Sequence, residues 1–370
     1  MTIYDYIDQY GIYSFEEKPF NEVDSVIFSF LSYADFDHIV EEGRILLKDV
    51  GRMHLGLHNK NERNIVAVKE ATKLLLYMKD TKRYQDCYLF HYVYEANHEF
   101  QFSAISIEYM RNHIYVSYEG TDQMISGWKE NLLLSYCYPT TSHRKAIEYL
   151  NRYYTFGFYK LIVGGHSKGG NFALVASMEC NPFVRHKIEE VYNVDGPGLL
   201  DKEFRGKHFK KILPMYHHII PNESIIGILL YSSKDQVIHS TISGPLAHNI
   251  AYWEVDGTHF KKDKLSSFSK ELKMGLLDYL DSHSIHELKN MVEDLDTVCS
   301  KAKVDSLLDF KEDYRAIGRF LKSCSFLDSE SRKMLLDLMN VVIKAMGDSK
   351  YKDFKANIKK FKLDIEYGTK

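Results

Sequence analysis

The chain has 370 residues, 45% of them hydrophobic and 27% charged, with a formal net charge of -3. These are the proportions of an ordinary soluble globular protein, long enough for one large domain or a domain with an appendage. The overall charge makes no electrostatic case for nucleic acid or an anionic membrane as partner. The first residues have neither a basic nor an apolar signal-like region, and no apolar run approaches the ~18 residues that span a bilayer. Cys87, Cys137, Cys180, Cys299 and Cys324 are scattered without CxxC spacing. Neither a disulfide framework nor a zinc site is expected, and a cytoplasmic setting fits best.

In chain order, residues 22–33 and 64–79 have apolar side chains at helical spacing, so two amphipathic helices are predicted. Residues 100–107 and 113–118 read as two strands joined by a hairpin turn at 108–112. Residues 159–163 form an apolar run that reads as a buried strand, followed by a helical run over 171–178. Further strands are predicted at 190–194, 215–220 and 250–255. Strands alternating with helices argue for a largely parallel α/β sheet. From about residue 263 the chain becomes lysine-rich, poor in glycine and proline, and helical in period. Four or five helices are expected there, one behind the capping box at Ser284–Glu287 and another opening at Ser306–Asp309.

The most informative segment is Gly165-His166-Ser167-Lys168-Gly169, which lies between the predicted strand and helix. Gly-x-Ser-x-Gly in that context is the nucleophile elbow of an α/β-hydrolase fold. The glycines permit a sharp bend, and a serine at a helix N-terminus faces free N–H groups that favour a developing anion. A phosphate loop is rejected. Gly164 to Gly169 has the spacing, but Gly170-Asn171 stands where Lys-Ser or Lys-Thr is required.

A serine nucleophile needs a base, an acid to orient the base, and donors for the oxyanion. Chain order in this fold is serine, acid, histidine. Among the histidines after Ser167, His248 stands just before the last predicted strand and is preferred over His239 and His259. For the acid, Asp195 follows the 190–194 strand directly, in Asp-Gly-Pro-Gly, at the carboxyl end of a strand where α/β sites gather. Glu223 follows the next strand, the more usual place for the acid, and Asp235 is a weaker third option. Asp195 is favoured over Glu223 because it is short and sits on a Gly/Pro turn. Upstream, the 113–118 strand runs into Gly120-Thr121. Thr121 would supply one oxyanion donor and the backbone N–H of Lys168 the other. His54 and His58 lie four apart, but no acidic partner completes a metal site.

Several ordered stretches together resemble one family. They include Phe20–Asp24, Leu31-Ser-Tyr33, Gln101–Ala104 and Glu119-Gly-Thr-Asp122 running to Gly127-Trp-Lys-Glu130. Gly165–Asn171, Val191–Gly198, Pro221–Gly227 and His248–Trp253 continue the series. The chain resembles the Mbeg1-like family, distant relatives of the class 3 lipases, over about residues 1–262. The resemblance implies Ser167 as nucleophile, His248 as base, and Thr121 with Lys168 at the oxyanion hole. It departs from the lipase-like pattern at Glu119, where arginine is usual, at Asn131, where aspartate is commoner, and at Ala247, where glutamine is expected.

The expected architecture is an α/β-hydrolase domain over 1–262, with a mostly parallel sheet flanked by helices and a helical lid around 40–80. A helical C-terminal region occupies 263–370. The expected activity is hydrolysis of carboxylic esters, acyl lipids or lysolipids, by a Ser-His-acid triad with no metal or organic cofactor. A thioesterase or small-ester esterase is the rival enzyme. A non-catalytic binding or scaffold protein is the rival of another class.

Overall fold

A computed structural model describes residues 1–40, 43–56, 66–97, 100–120, 133–304 and 314–347. The chain divides into two compact units, Met1–Asp122 with Pro139–Lys264, and Gln123–Tyr138 with Leu265–Lys370. The second unit therefore draws on a stretch from mid-chain as well as on the tail.

The first unit begins with helices α1 (Ile3–Tyr10) and α2 (Glu22–Leu31). Each opens on a capping box, Thr2 with Asp5 and Asn21 with Asp24, which satisfies the free amides of the first turn. Strand β1 (Ile45–Leu46) leads into α3 (Leu47–Gly56), and α4 (Val66–Met78) precedes β2 (Tyr88–Ala96). Then come β3 (Gln101–Met110), β4 (His113–Tyr118), α5 (Thr141–Tyr154), β5 (Lys160–His166) and α6 (Lys168–Glu179). Strands β6 (Ile188–Val194), β7 (Tyr216–Pro221) and β8 (Asp235–Ile238) follow.

Among the described residues these strands form one eight-stranded sheet whose spatial order is the chain order. Strands β1 to β4 pair antiparallel, and β4 to β8 pair parallel. The hairpin between β3 and β4 turns at Asn112, whose φ is 63°, a left-handed conformation that asparagine tolerates. Alternation along β4 shows how the layers are set. Tyr115 and Ser117 point to α2, with the Tyr115 hydroxyl 2.6 Å from Ser29 Oγ and Ser117 Oγ donating to the Phe28 carbonyl at 2.8 Å. Tyr118 points the other way and donates to the Ala146 carbonyl of α5 at 2.8 Å. The sheet is thus covered by helices on both faces.

Asp24 is fully buried in α2 and receives Arg83 Nε at 2.8 Å, Arg83 Nη2 at 2.5 Å and the Tyr84 hydroxyl at 2.7 Å. A buried charge is tolerated when its lone pairs are filled in this way. The segment expected as a lid is built into the same core, because Leu47, Val50, Ala71, Leu74, Leu75 and Met78 are buried there. Its residues 57–65 lie outside the described part.

One predicted strand is corrected. Residues Ile250–Tyr252 form a short 3-10 turn, and only Val255–Asp256 (β9) is extended, pairing with His259–Phe260 (β10). Asn249 accepts from the Ala251 amide at 3.0 Å, and Trp253 Nε1 donates to the Ala247 carbonyl at 2.8 Å. These side-chain bonds hold a turn where the apolar run suggested a strand.

The second unit contains α7 (Ser267–Asp281), α8 (Ile285–Ala302), α9 (Tyr314–Cys324) and α10 (Ser329–Ala345). Tyr279, Leu288, Met291, Phe320, Leu335 and Ile343 are among its buried core, and Tyr136 packs against them. The Ser284–Glu287 capping box forms as predicted. The run opening at Ser306–Asp309 lies outside the described residues.

Candidate active site

Strand β5 ends at His166 and α6 begins at Lys168, so Ser167 alone makes the bend. Its backbone has φ 57° and ψ -133°, a conformation that costs a non-glycine residue on the order of 1–3 kcal/mol. The flanking glycines are required by contact. A Cβ on Gly165 would stand 2.4 Å from the Gly169 carbonyl, and one on Gly169 would stand 2.1 Å from the Tyr118 carbonyl oxygen. The strained serine is held by its own amide, which donates to the Val194 carbonyl at 2.8 Å.

Strand β6 runs alongside and ends at Val194, which delivers Asp195 to the same edge of the sheet. Asp195 is fully buried. Its Oδ2 lies 2.6 Å from His248 Nδ1, while Oδ1 accepts from Ser224 Oγ at 2.5 Å and the Gly227 amide at 3.1 Å. With Nδ1 donating to the carboxylate, the His248 ring keeps Nε2 as its basic nitrogen. His248 closes the short turn Gly244–His248.

The other candidates are placed elsewhere. Glu223 is half-buried beside Ser224, the residue whose hydroxyl serves Asp195. Asp235 Oδ1 meets His218 Nδ1 at 2.8 Å, and His218 Nε2 donates to the Gly196 carbonyl at 3.0 Å. That pair braces the turn that carries Asp195. His239 is engaged with Asp263, and His259 with Glu22. His54 packs edge-on against Phe36, and His58 is outside the described residues. Among the described residues no group of three or more His, Cys, Asp or Glu side chains is arranged to hold a metal ion.

Of the two expected oxyanion donors, Lys168 is the first residue of α6, and its side chain is buried with Nζ 5.4 Å from the Phe172 ring centroid. Thr121 lies outside the described residues, as do Asn131 and Gly127–Glu130. Its neighbour Gly120 runs hard against the serine, since a Cβ there would stand 3.0 Å from Ser167 Cβ and 2.7 Å from the His166 carbonyl oxygen. Glu119, one of the departures from the lipase-like pattern, is buried and accepts from Gln101 Nε2 at 3.5 Å.

Several residues that matter here carry no motif signal of their own. His166, read only as an x of Gly-x-Ser-x-Gly, places Nε2 at 2.9 Å from the His248 carbonyl and its ring 4.3 Å from the His248 ring. Its Nδ1 lies 3.2 Å from the Tyr33 hydroxyl. Burial, reinforced by the neighbouring His248, holds its imidazole far below the ordinary histidine range. It is therefore neutral, with Nε2–H donating to the carbonyl and Nδ1 accepting from Tyr33. Asn171 ties α6 to the loop after Asp195, donating to the Gly198 carbonyl at 2.7 Å and accepting from His143 Nε2 at 2.6 Å. His143 Nδ1 accepts from the Thr140 amide at 3.1 Å, which fixes the tautomer. Burial lowers its pKa from 6.5 to about 4.

An α/β sheet flanked by helices, with a strained serine on a strand-to-helix bend, defines an α/β-hydrolase fold. The Mbeg1-like family model matches residues 78–296, which include Ser167, Asp195 and His248, and the chain belongs to that family. No curated protein sequence matches the chain. Among solved structures, the crystal structure of M37 lipase is similar over 55% of this chain and 68% of its own, with a TM-score of 0.35 and 15% identity.

Proposed function

We propose that the protein is a serine hydrolase of carboxylic esters. The 2.6 Å contact between fully buried Asp195 and His248, beside a serine held at positive φ, is the observation that carries this reading. Ser167 Oγ attacks the ester carbonyl while His248 Nε2 takes its proton. The tetrahedral oxyanion is met by the Lys168 amide and Thr121. His248 then returns the proton to the leaving alcohol, and water repeats the sequence to release the acid. Asp195 holds the imidazole in the required tautomer throughout. No metal or organic cofactor enters these steps.

The hydrolase unit in this reading is 1–262, with 263–370 a helical appendage, in a cytoplasmic setting that keeps the five free cysteines reduced. Acyl lipids or lysolipids are the favoured substrates. The 40–80 segment is the proposed lid over the acyl site, its α4 meeting Phe30, Ile3 and Ile250, two residues beyond His248, through Leu74 at a cleft that holds no more than a water molecule. A scaffold without turnover has no use for the strain at Ser167. Labelling with a fluorophosphonate, followed by mapping of the modified residue, tests the reading. Modification of Ser167 is expected, and an unlabelled serine would sink it. Across p-nitrophenyl esters kcat/KM should climb with chain length, since each buried methylene contributes about 0.8 kcal/mol. A profile peaking at acetate favours the small-ester reading, and preferential turnover of acyl thioesters favours the thioesterase.

A further inference from the structure

His143, His166 and His218 are all buried, but their partners differ. His143 and His166 each face one donor and one acceptor, the Thr140 amide with Asn171 Oδ1 and the Tyr33 hydroxyl with the His248 carbonyl. A neutral imidazole, with one N–H and one bare nitrogen, satisfies both sides of such a pair. His218 on β7 faces two acceptors instead. Its Nδ1 lies 2.8 Å from Asp235 Oδ1 and its Nε2 lies 3.0 Å from the Gly196 carbonyl. The hydrogen shared with Asp235 belongs on the ring, the more basic of the two groups. The Gly196 carbonyl has none to give, so Nε2 must supply a second. A neutral ring would set a bare nitrogen against an oxygen lone pair in a fully buried position, where an unmade hydrogen bond is costly.

The groups around the ring are consistent with that charge. Strand β7 lies between β6 and β8, and in register His218 is flanked by Asn193 and Asp235. Asn193 is uncharged. Tyr216, stacked on His218 at 6.0 Å, stays neutral because burial pushes its hydroxyl far above the ordinary range. From the helices over this face, Phe209 meets Tyr216, and Asn171 meets the Gly198 carbonyl. The Asp195 carboxylate is turned to His248, Ser224 and the Gly227 amide. Of the cations, Lys168 lies over the Phe172 ring, and Lys234 is held by the Leu213 and Pro214 carbonyls.

The Gly196 carbonyl belongs to the turn that carries Asp195. Asp195 has φ 47°, a left-handed conformation that persists where the surroundings over-determine it. Buried side chains do so here. Asn193 Oδ1 accepts from the Gly196 amide and Asn193 Nδ2 donates to the Pro197 carbonyl, both at 3.0 Å, while Asn171 Nδ2 donates to the Gly198 carbonyl at 2.7 Å. His218 completes the set at the Gly196 carbonyl. We propose that His218 is held as a buried imidazolium and is a positioning residue for the acid, its charge-assisted bond to Gly196 fixing the turn that aims Asp195 at His248. The positioning role rests on the hydrolase reading, and the imidazolium does not. On losing its Nε2 proton to solvent, the ring keeps its bond to Asp235 and releases the Gly196 carbonyl.

Long-range proton–nitrogen NMR of the full chain with isotope-labelled histidine nitrogens tests the protonation, the His218 signals being identified by their loss in His218→Gln. Both nitrogens should carry hydrogen at pH 7, where an exposed histidine is mostly neutral. They should do so in Ser167→Ala as well, which separates this result from the fate of the hydrolase reading. On an ester, kcat should be bell-shaped in pH. It should fall at least about tenfold on the alkaline side with little change in KM, in step with loss of the Nε2 hydrogen. Asp235→Asn removes the balancing charge and should move both changes to lower pH by about one unit or more. His218→Gln keeps an N–H near the position of Nε2 without a titrating charge, so its alkaline fall should disappear. One bare ring nitrogen at pH 7 would overturn the imidazolium. An alkaline fall unchanged in both variants would overturn the positioning role. A parent with both hydrogens and no turnover would sink the hydrolase reading, and the positioning role with it, and would uphold the imidazolium.

Discussion

His166 grips His248 twice, through a 2.9 Å hydrogen bond from Nε2 to its backbone carbonyl and through ring contact at 4.3 Å between centroids. Tyr33, in the turn just after α2, sets the tautomer that makes the first of these possible. The residue before the serine thus fixes the loop that carries the proposed base.

His166→Leu removes both the donor and the ring. It should lower kcat by about a hundredfold with little change in KM, because displacement of a base by about an ångström is enough. His166→Gln keeps an N–H near the position of Nε2 and should recover much of the loss. Equal rates for the two variants would argue that His166 acts through packing alone.

The positive φ at Ser167 separates strain from chemistry. Ser167→Ala and Ser167→Gly should both abolish ester hydrolysis and fluorophosphonate labelling. Only the glycine variant escapes the backbone cost, so in urea unfolding it should be more stable than the alanine variant by about 1 kcal/mol. A glycine variant less stable than the alanine variant would show that the conformation is not strained.

Asp195→Asn should reduce kcat about ten-thousandfold with KM nearly unchanged, because an amide can hold His248 in the wrong tautomer. Glu223→Gln should retain close to the parental rate. The reverse ranking, measured on one ester, would move the acid to Glu223.

His143 predicts a pH dependence of stability. Its pKa is about 4 in the folded state, where burial disfavours the cation, and 6.5 is the ordinary value. Between those values the unfolded chain binds the proton and the folded chain does not, so stability falls as pH drops through that window. It is fully present above pH 6.5. The contribution is of order 3 kcal/mol, and His166 acts in the same direction. Thermal midpoints from pH 7 to 4 should therefore decline less steeply in His143→Gln than in the parent. Parallel declines would mean that His143 does not titrate on unfolding.

Local chemistry was enough to read the elbow. An apolar run, paired glycines and a helical run leave few ways to arrange Ser167, and the steric limits at Gly165 and Gly169 are properties of the backbone itself. The capping box at Ser284 and the helix at 22–33 were legible for the same reason, since neighbours in sequence are the partners. The choice between Asp195 and Glu223 was not decided locally. Both follow strands of one parallel sheet, and which of them meets His248 depends on where the Gly244–His248 turn is carried, 53 residues away from Asp195. The run at 250–255 looked like a strand because Ile250, Trp253 and Val255 are apolar. They are buried from a turn instead, and a periodic burial pattern cannot distinguish the two without the core they enter. His166, His143, His218 and Asn171 stayed silent in sequence for a related reason. A buried imidazole or amide acquires its role from the carbonyl or carboxylate opposite, and only the packing of β5, α5 and β7 around the sheet brings those groups within reach.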